Sequence, residues 1–82
     1  MTAEERIARG RRVKELLDDE VFTDALEAVK ARIRGEWEAA EEPRLREAAW
    51  YKMKALPYLV EQLRRIINDG EHAQRALEKH SG

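Results

Sequence analysis

The amino-acid sequence predicts an all-α protein built on an antiparallel helical hairpin. Two stripes of apolar residues, spaced three or four residues apart, run up to and away from the segment Glu41-Glu42-Pro43. Each stripe fits one face of an amphipathic helix, and so short a break requires the two helices to fold back on each other. The first stripe comprises Phe22, Leu26, Val29, Ile33 and Trp37, and the second comprises Leu45, Ala49, Met53, Leu56, Val60, Leu63 and Ile67.

A short N-terminal helix precedes the hairpin, and we predict it over residues 3–17. Thr2 is a good N-cap, and Glu5 three residues later completes a capping box. Its apolar face is thin, and Gly10 inside it costs about 1 kcal/mol relative to alanine. The second helix is predicted over residues 19–40, because the acidic Asp18 and Asp19 can cap its free N–H groups.

The third helix is predicted over residues 43–69. Pro43 suits its first turn, where the missing N–H is no loss, and Gly70 is expected to end it as a left-handed C-cap. Pro57 lies inside this helix, and we expect a kink there because the apolar stripe continues in register beyond it. Residues 71–79 are predicted to form a separate short C-terminal helix.

The register of the hairpin predicts the core. When the chain doubles back at Pro43, two residues face each other if their numbers add up to about 87. This register places Trp37 opposite Trp50 and Ile33 opposite Met53. We therefore expect the two indole rings to close the core beneath the loop. Near the end of the second helix, Gly35 indicates either a close approach of the facing helix or a weakened last turn, and we favour the former.

Size and composition narrow the class of protein. The 82 residues make a single domain, no cysteine is present, and the net charge is −1. The charges are unevenly distributed, with net +2 over residues 1–17, −6 over 18–42 and +3 over 43–82. No apolar run approaches the roughly 20 residues that a membrane span needs, and the N-terminus lacks the apolar core of a signal peptide. We therefore expect a cytoplasmic protein without a membrane partner.

No catalytic, cofactor-binding or metal-ligating set stands out, and we predict no enzyme activity, no cofactor and no metal. His72 follows Asp69 by three residues, a spacing known from helical di-iron sites, but such sites need several inward carboxylates on facing helices. The four glycines are scattered and form no phosphate-binding loop. Ser81, in the tail, is the one serine of the chain.

A basic segment on the first helix suggests a nucleic-acid interface as the alternative function. Its five cations are interspersed with three glutamates, and no base-reading motif accompanies them. The plainer interpretation is a solvated face that pairs with the acidic residues of the second helix. The candidate contacts are Arg6, Arg9, Arg11, Arg12 and Lys14.

The apolar stripe of the third helix is wider than one facing helix can cover. We predict that Tyr58, Leu59 and Ile66 face a partner. Either the first helix folds over the hairpin to give a three-helix bundle, or a second copy covers it. We favour self-association as a dimer or ring of hairpins, with two-fold pairing into a four-helix bundle as the commonest solution.

The order of features over about residues 8–77 resembles small uncharacterised helical-hairpin proteins of tailed phages and prophages. The residues that carry the resemblance are Ala8-Arg9, residues 15–19, Phe22, Ala25-Leu26, the region of Trp37, Arg46-Glu47, Trp50, Lys52, Leu56, Leu63, Ile66-Ile67 and Asp69-Gly70. Such proteins are often encoded among head and DNA-packaging genes. The resemblance implies a non-enzymatic accessory of head morphogenesis or DNA packaging that acts as an oligomer. It also implies phage structural or packaging proteins as partners, and a location in the host cytoplasm or the virion.

Overall fold

The computed structural model describes residues 1–81 and contains three helices. They are α1 (Ala3–Asp18), α2 (Glu20–Ala39) and α3 (Pro43–Ser81). No strand occurs within residues 1–81. The all-α prediction is therefore confirmed.

The starts of α1 and α2 are fixed by side-chain caps. The Thr2 hydroxyl accepts from the Glu5 N–H at 3.1 Å, and the Glu5 carboxylate accepts from the Thr2 N–H at 3.4 Å, which is the predicted capping box. The Asp19 carboxylate accepts from the Phe22 N–H at 2.9 Å, while its own N–H donates to the Leu16 carbonyl at 3.1 Å. Asp19 thus ends one helix and begins the next, so α1 and α2 follow each other without a loop.

The end of α3 differs from the prediction. The helix does not stop before Gly70 but continues for 39 residues to Ser81, so the expected C-cap and the separate helix over 71–79 are wrong. No glycine within the described chain has a positive φ. The physical reason lies in the spacing: Ala49, Leu56, Leu63, Gly70 and Leu77 are seven residues apart. On a helix that packs in coiled-coil fashion they share one line, so Gly70 occupies a packing position rather than a terminus.

Pro57 lies inside α3 without ending it. The continuous apolar stripe on both sides of the proline, and its packing on α2, hold the helix together at this point. The expectation that no turn occurs at Pro57 is confirmed, and the kink itself stays a prediction.

α1 and α2 lie one after the other along α3, and each packs on a different half of it. The Lys52 ammonium pairs with the Glu36 carboxylate at 2.9 Å, so α2 runs antiparallel along the first half of α3. The α1 backbone meets the second half around Gly70. The result is a rod with extents of 62 × 23 × 16 Å. Because α1 packs on the second half of α3, it does not cover the hairpin formed by α2 and α3, and the three-helix bundle considered above is excluded.

The core of this rod is thin. The buried apolar residues are Ile33, Ala49 and Ala73. Eight other residues of the predicted stripes are half-buried: Phe22, Leu26, Trp37, Met53, Leu56, Val60, Leu63 and Ile67. No side chain among the described residues is both large and fully buried. The hairpin therefore keeps much of its apolar surface in contact with solvent.

The tryptophans do not close the core as predicted. Trp50 is 46% exposed, and its ring lies against Tyr51 with the centroids 5.3 Å apart in an edge-to-face arrangement. Trp37 is half-buried, with the Arg46 guanidinium 4.3 Å above its ring centroid. A cation over an indole is itself favourable, so Arg46 takes the place that the second indole was expected to fill.

Within residues 1–81, no helix combines the length and the apolar composition that a bilayer crossing requires.

Candidate interaction surfaces

The closest approach of two helices lies at the crossing of α1 and α3. A Cβ added to Gly70 would lie 2.8 Å from the Arg6 carbonyl oxygen and 3.2 Å from the Gly10 Cα. A Cβ added to Gly10 would lie 3.2 Å from the Ile66 carbonyl oxygen. Both glycines are buried. The two backbones touch here because neither residue carries a side chain.

Sequence reasoning missed this crossing and assigned the close approach to the wrong glycine. A Cβ added to Gly35 would find no heavy atom within 4 Å, so the interpretation favoured for it is wrong. Gly10 was interpreted only as a cost to its helix and Gly70 only as a cap. The seven-residue spacing from Leu63 to Gly70 to Leu77 is the signal that could have identified the packing role.

An ion pair fastens α1 to α3 beside the crossing. The Arg6 guanidinium donates to both carboxylate oxygens of Asp69, at 2.9 and 2.6 Å, and also contacts the Asp69 carbonyl at 3.4 Å. The hydrogen bond from Arg6 lowers the pKa of Asp69 below its ordinary value, and the same bond raises the pKa of Arg6. Arg6 is thus engaged within the chain and is not a free cation for a nucleic acid.

The other cations of α1 do not form one patch. Arg9 and Arg12 lie beside an open groove whose floor includes Val13, Leu16 and Ile66. Arg11 and Lys14 lie on the other flank of α1, in a groove shared with Glu71 and Gln74 of α3. The crossing with α3 separates the two pairs, so the predicted five-residue basic surface is divided.

The predicted partner-facing residues also fall on different faces. Tyr58 is 72% exposed and Leu59 51%, whereas Ile66 is half-buried in the groove beside α1. Leu59 and Ile66 are seven residues apart and share one line along α3. Tyr58 shares its line with Tyr51, which is also exposed, and this line points away from α2. The three residues therefore mark two surfaces.

An aromatic group lies at the surface of the first half of α3. Trp50 and Tyr51 pack edge to face, the Lys54 ammonium lies 5.2 Å from the Trp50 ring centroid, and the Tyr51 hydroxyl donates to Glu47 at 3.3 Å. The two rings contact each other, and each also contacts a charged side chain of its own helix.

The described residues show neither a cluster of metal-ligating side chains nor a buried polar side-chain atom without a partner. Within residues 1–81 no three His, Asp or Glu side chains are grouped so that they could hold a metal ion. In the same part of the chain no buried side-chain nitrogen or oxygen lacks a hydrogen-bond partner. His72 is exposed, as is Asp69.

Comparison of the chain with family models, with curated proteins and with solved structures gives no significant match.

Proposed function

We propose that this protein is a non-enzymatic helical assembly protein that acts as an oligomer. The single observation that supports this proposal best is the surface that one chain exposes. A compact monomer of 9.6 kDa is expected to expose about 5,100 Å². This chain exposes 6706 Å², an excess of about 1,600 Å².

The shape of the chain agrees with that area. Its radius of gyration is 17.8 Å, whereas a compact domain of 82 residues has about 12 Å. A rod with so few buried side chains gains little hydrophobic stabilisation alone, and a partner along its length supplies the missing burial. Self-association does so without requiring any other gene product.

The experiment that tests oligomerisation is light scattering after size exclusion. Over roughly 10 to 200 µM we expect a mass that is a multiple of 9.6 kDa, because association depends on chain concentration. A mass of one chain throughout this range would overturn the proposal.

The biological setting we propose is head morphogenesis or DNA packaging of a tailed phage or prophage. It is supported by the resemblance described above. Deleting the gene from the phage or prophage that carries it should reduce the yield of DNA-filled heads in electron micrographs. An unchanged yield of filled heads would overturn this setting while leaving the oligomer intact.

A second candidate function is nucleic-acid binding through α1. The observation in its favour is that Arg9 and Arg12 share one flank of α1 and lie near Arg65 of α3, which lines an adjoining groove with Arg9. If these cations contact phosphates, duplex DNA should shift in a gel at about 50 mM salt and the shift should disappear as the salt rises. Replacing Arg9 and Arg12 with glutamate should abolish it. An unshifted duplex at low salt would eliminate this candidate.

A further inference from the structure

The hairpin of α2 and α3 has two broad sides, and the observed contacts show which residues lie on each. On one side Arg46 covers Trp37, and Lys30 and Arg34 line a groove with Met53 and Pro57. On the other side a groove is lined by the paired Glu36 and Lys52 and by apolar residues that include Ala39, Leu45 and Ala48. Each groove thus holds two charged residues, and the two sides differ in the residues that extend them along the helices.

The seven-residue spacing extends this assignment along both helices, because residues seven apart share a line on helices packed in this way. From Leu45 the line passes through Lys52 to Leu59, and from Ala48 it passes to Ala55. In α2 the line from Ala39 passes through Arg32 to Ala25. The line from Glu36, which lines the same groove, passes through Val29 to Phe22. We call these residues together the apolar side.

The opposite side, traced in the same way, has another character. Its lines in α2 hold Glu20, Glu27 and Arg34, and also Thr23, Lys30 and Trp37. Lys30 and Glu27 pair on it at 3.1 Å. On the apolar side the charged residues are Arg32, Glu36 and Lys52, of which the last two pair with each other. Charged residues are thus more numerous on one broad side of the hairpin than on the other.

The apolar side is exposed in the single chain. Val29 is 41% exposed, and Leu45 and Leu59 are each 51% exposed. Between these larger residues lie the exposed Ala25, Ala39, Ala48 and Ala55. A surface of small residues flanked by larger apolar ones allows another helix pair to approach closely and to bury the larger side chains.

The area argues for a second copy of the chain as the occupant. An interface of standard size buries about 800 Å² on each partner, and obligate homodimers bury more. The excess surface of about 1,600 Å² found above is therefore enough for a large interface on every chain. A two-fold axis brings the same surface of both chains together, so the apolar side of each copy would be covered at once.

We propose that two copies pack apolar side against apolar side and form a four-helix bundle from the two α2–α3 hairpins. This inference rests on the proposed function, which requires association but does not specify the surface. It leaves the charged side, the tyrosines of α3 and the grooves beside α1 free in the dimer.

The experiment compares substitutions on the apolar side with matched substitutions elsewhere. Leu59→Asp and Ala48→Arg place charges on the apolar side. Tyr58→Asp alters the neighbouring residue on the outward face of α3, and Ala31→Arg alters an exposed alanine on the outward face of α2. All four positions are exposed in the single chain, so the hairpin does not need the original side chains for its own core.

Sedimentation analysis should show that the dimer dissociation constant rises by at least about tenfold for each variant of the apolar side and stays within about twofold for each control. Far-UV circular dichroism reports whether each variant remains helical. If a variant loses its helices, Ala48→Cys and Tyr58→Cys provide the second measurement, because the natural chain has no cysteine. Alkylation of the cysteine at position 48 should slow as the protein is concentrated, and alkylation at position 58 should not.

The possible outcomes separate this inference from the proposed function. An oligomer that Tyr58→Asp dissociates and Leu59→Asp leaves intact would overturn the apolar-side dimer while the proposed function stands. An oligomer in which position 48 stays equally reactive at all concentrations would do the same. A chain that remains a monomer at every concentration would overturn both.

Discussion

At the scale of single residues, Gly70 is the position with the least room. An added Cβ would lie 2.8 Å from the Arg6 carbonyl oxygen, and a carbonyl of a helix backbone cannot move away as a flexible side chain can. We expect Gly70→Ala to lower the free energy of unfolding by about 1–3 kcal/mol, since the two helices must separate to admit the methyl group. Urea unfolding followed by circular dichroism measures the change.

Gly35 is the matched control for that prediction. Its added Cβ would meet no heavy atom within 4 Å, so Gly35→Ala should raise the free energy of unfolding of the single chain by about 0.5–1 kcal/mol through helix propensity alone. A loss of stability for Gly70→Ala together with a gain for Gly35→Ala would support the crossing of α1 and α3 at Gly70. Equal gains at both positions would show that α1 does not contact α3 at Gly70.

The ion pair between Arg6 and Asp69 predicts a specific pH dependence. Because Arg6 lowers the pKa of Asp69 in the folded chain, the pair contributes stability above the ordinary pKa of an aspartate, about 3.9, and loses it as the pH falls through the lowered value. Asp69→Asn should therefore be less stable than the natural chain at pH 7, and this difference should shrink below about pH 4.

Thermal unfolding at a series of pH values tests this expectation. The raised pKa of Arg6 contributes stability below the ordinary pKa of arginine, so its contribution is constant over the acid and neutral range. Glu61→Gln is a suitable control, because Glu61 pairs with Arg65 within α3 at 2.9 Å and does not join two helices. A stability difference for Asp69→Asn that stays the same at every pH would contradict the assigned pair.

At the scale of elements, Pro57 is the weak point of α3. A proline inside a helix removes one backbone hydrogen bond and clashes with the preceding turn, at a cost of about 3 kcal/mol. Pro57 is exposed, so replacing it creates no large cavity. We expect Pro57→Ala to raise the free energy of unfolding by about 1–3 kcal/mol, measured by urea unfolding. A loss of stability would show that the ring of Pro57 packs into a contact that the helix needs.

The elements that the sequence predicts correctly are those whose signals are local. The Thr2 capping box, the Asp19 cap and the start of α3 at Pro43 each depend on residues within one turn of the helix. Gly70 could not be assigned in this way. The segment that precedes it is typical of a helix end, and its contact with α1, some sixty residues earlier in the chain, leaves no local signal.

The same distinction applies to the candidate surfaces. The stripe identified Ile33 and Ala49 as core positions because periodicity alone indicates the face that a helix buries. The register of the hairpin placed Trp50 wrongly, because the choice between Trp50 and Arg46 as the neighbour of Trp37 depends on the rotation of α3 about its axis. Periodicity alone does not show which way a residue at the margin of a stripe faces.

At the scale of the whole molecule, the thin core and the long rod make stability depend on association. A partner that binds the folded chain and not the unfolded one raises the unfolding temperature as its concentration rises. In a self-associating protein the partner is the protein itself. The midpoint of thermal unfolding should therefore increase with chain concentration, by several degrees over about a hundredfold range for a domain of this size.

Differential scanning calorimetry at a series of concentrations measures that midpoint. Variants of the apolar side show whether its dependence on concentration comes from association through that surface. For the natural chain and for Tyr58→Asp the midpoint should rise with concentration, whereas for Ala48→Arg it should be lower and nearly constant. Ala48 is exposed in the single chain, so the intrinsic stability of its hairpin should change little. A midpoint independent of concentration in the natural chain would mean that the half-buried stripe of α3 suffices alone, and that its exposed apolar surface has some use other than self-association.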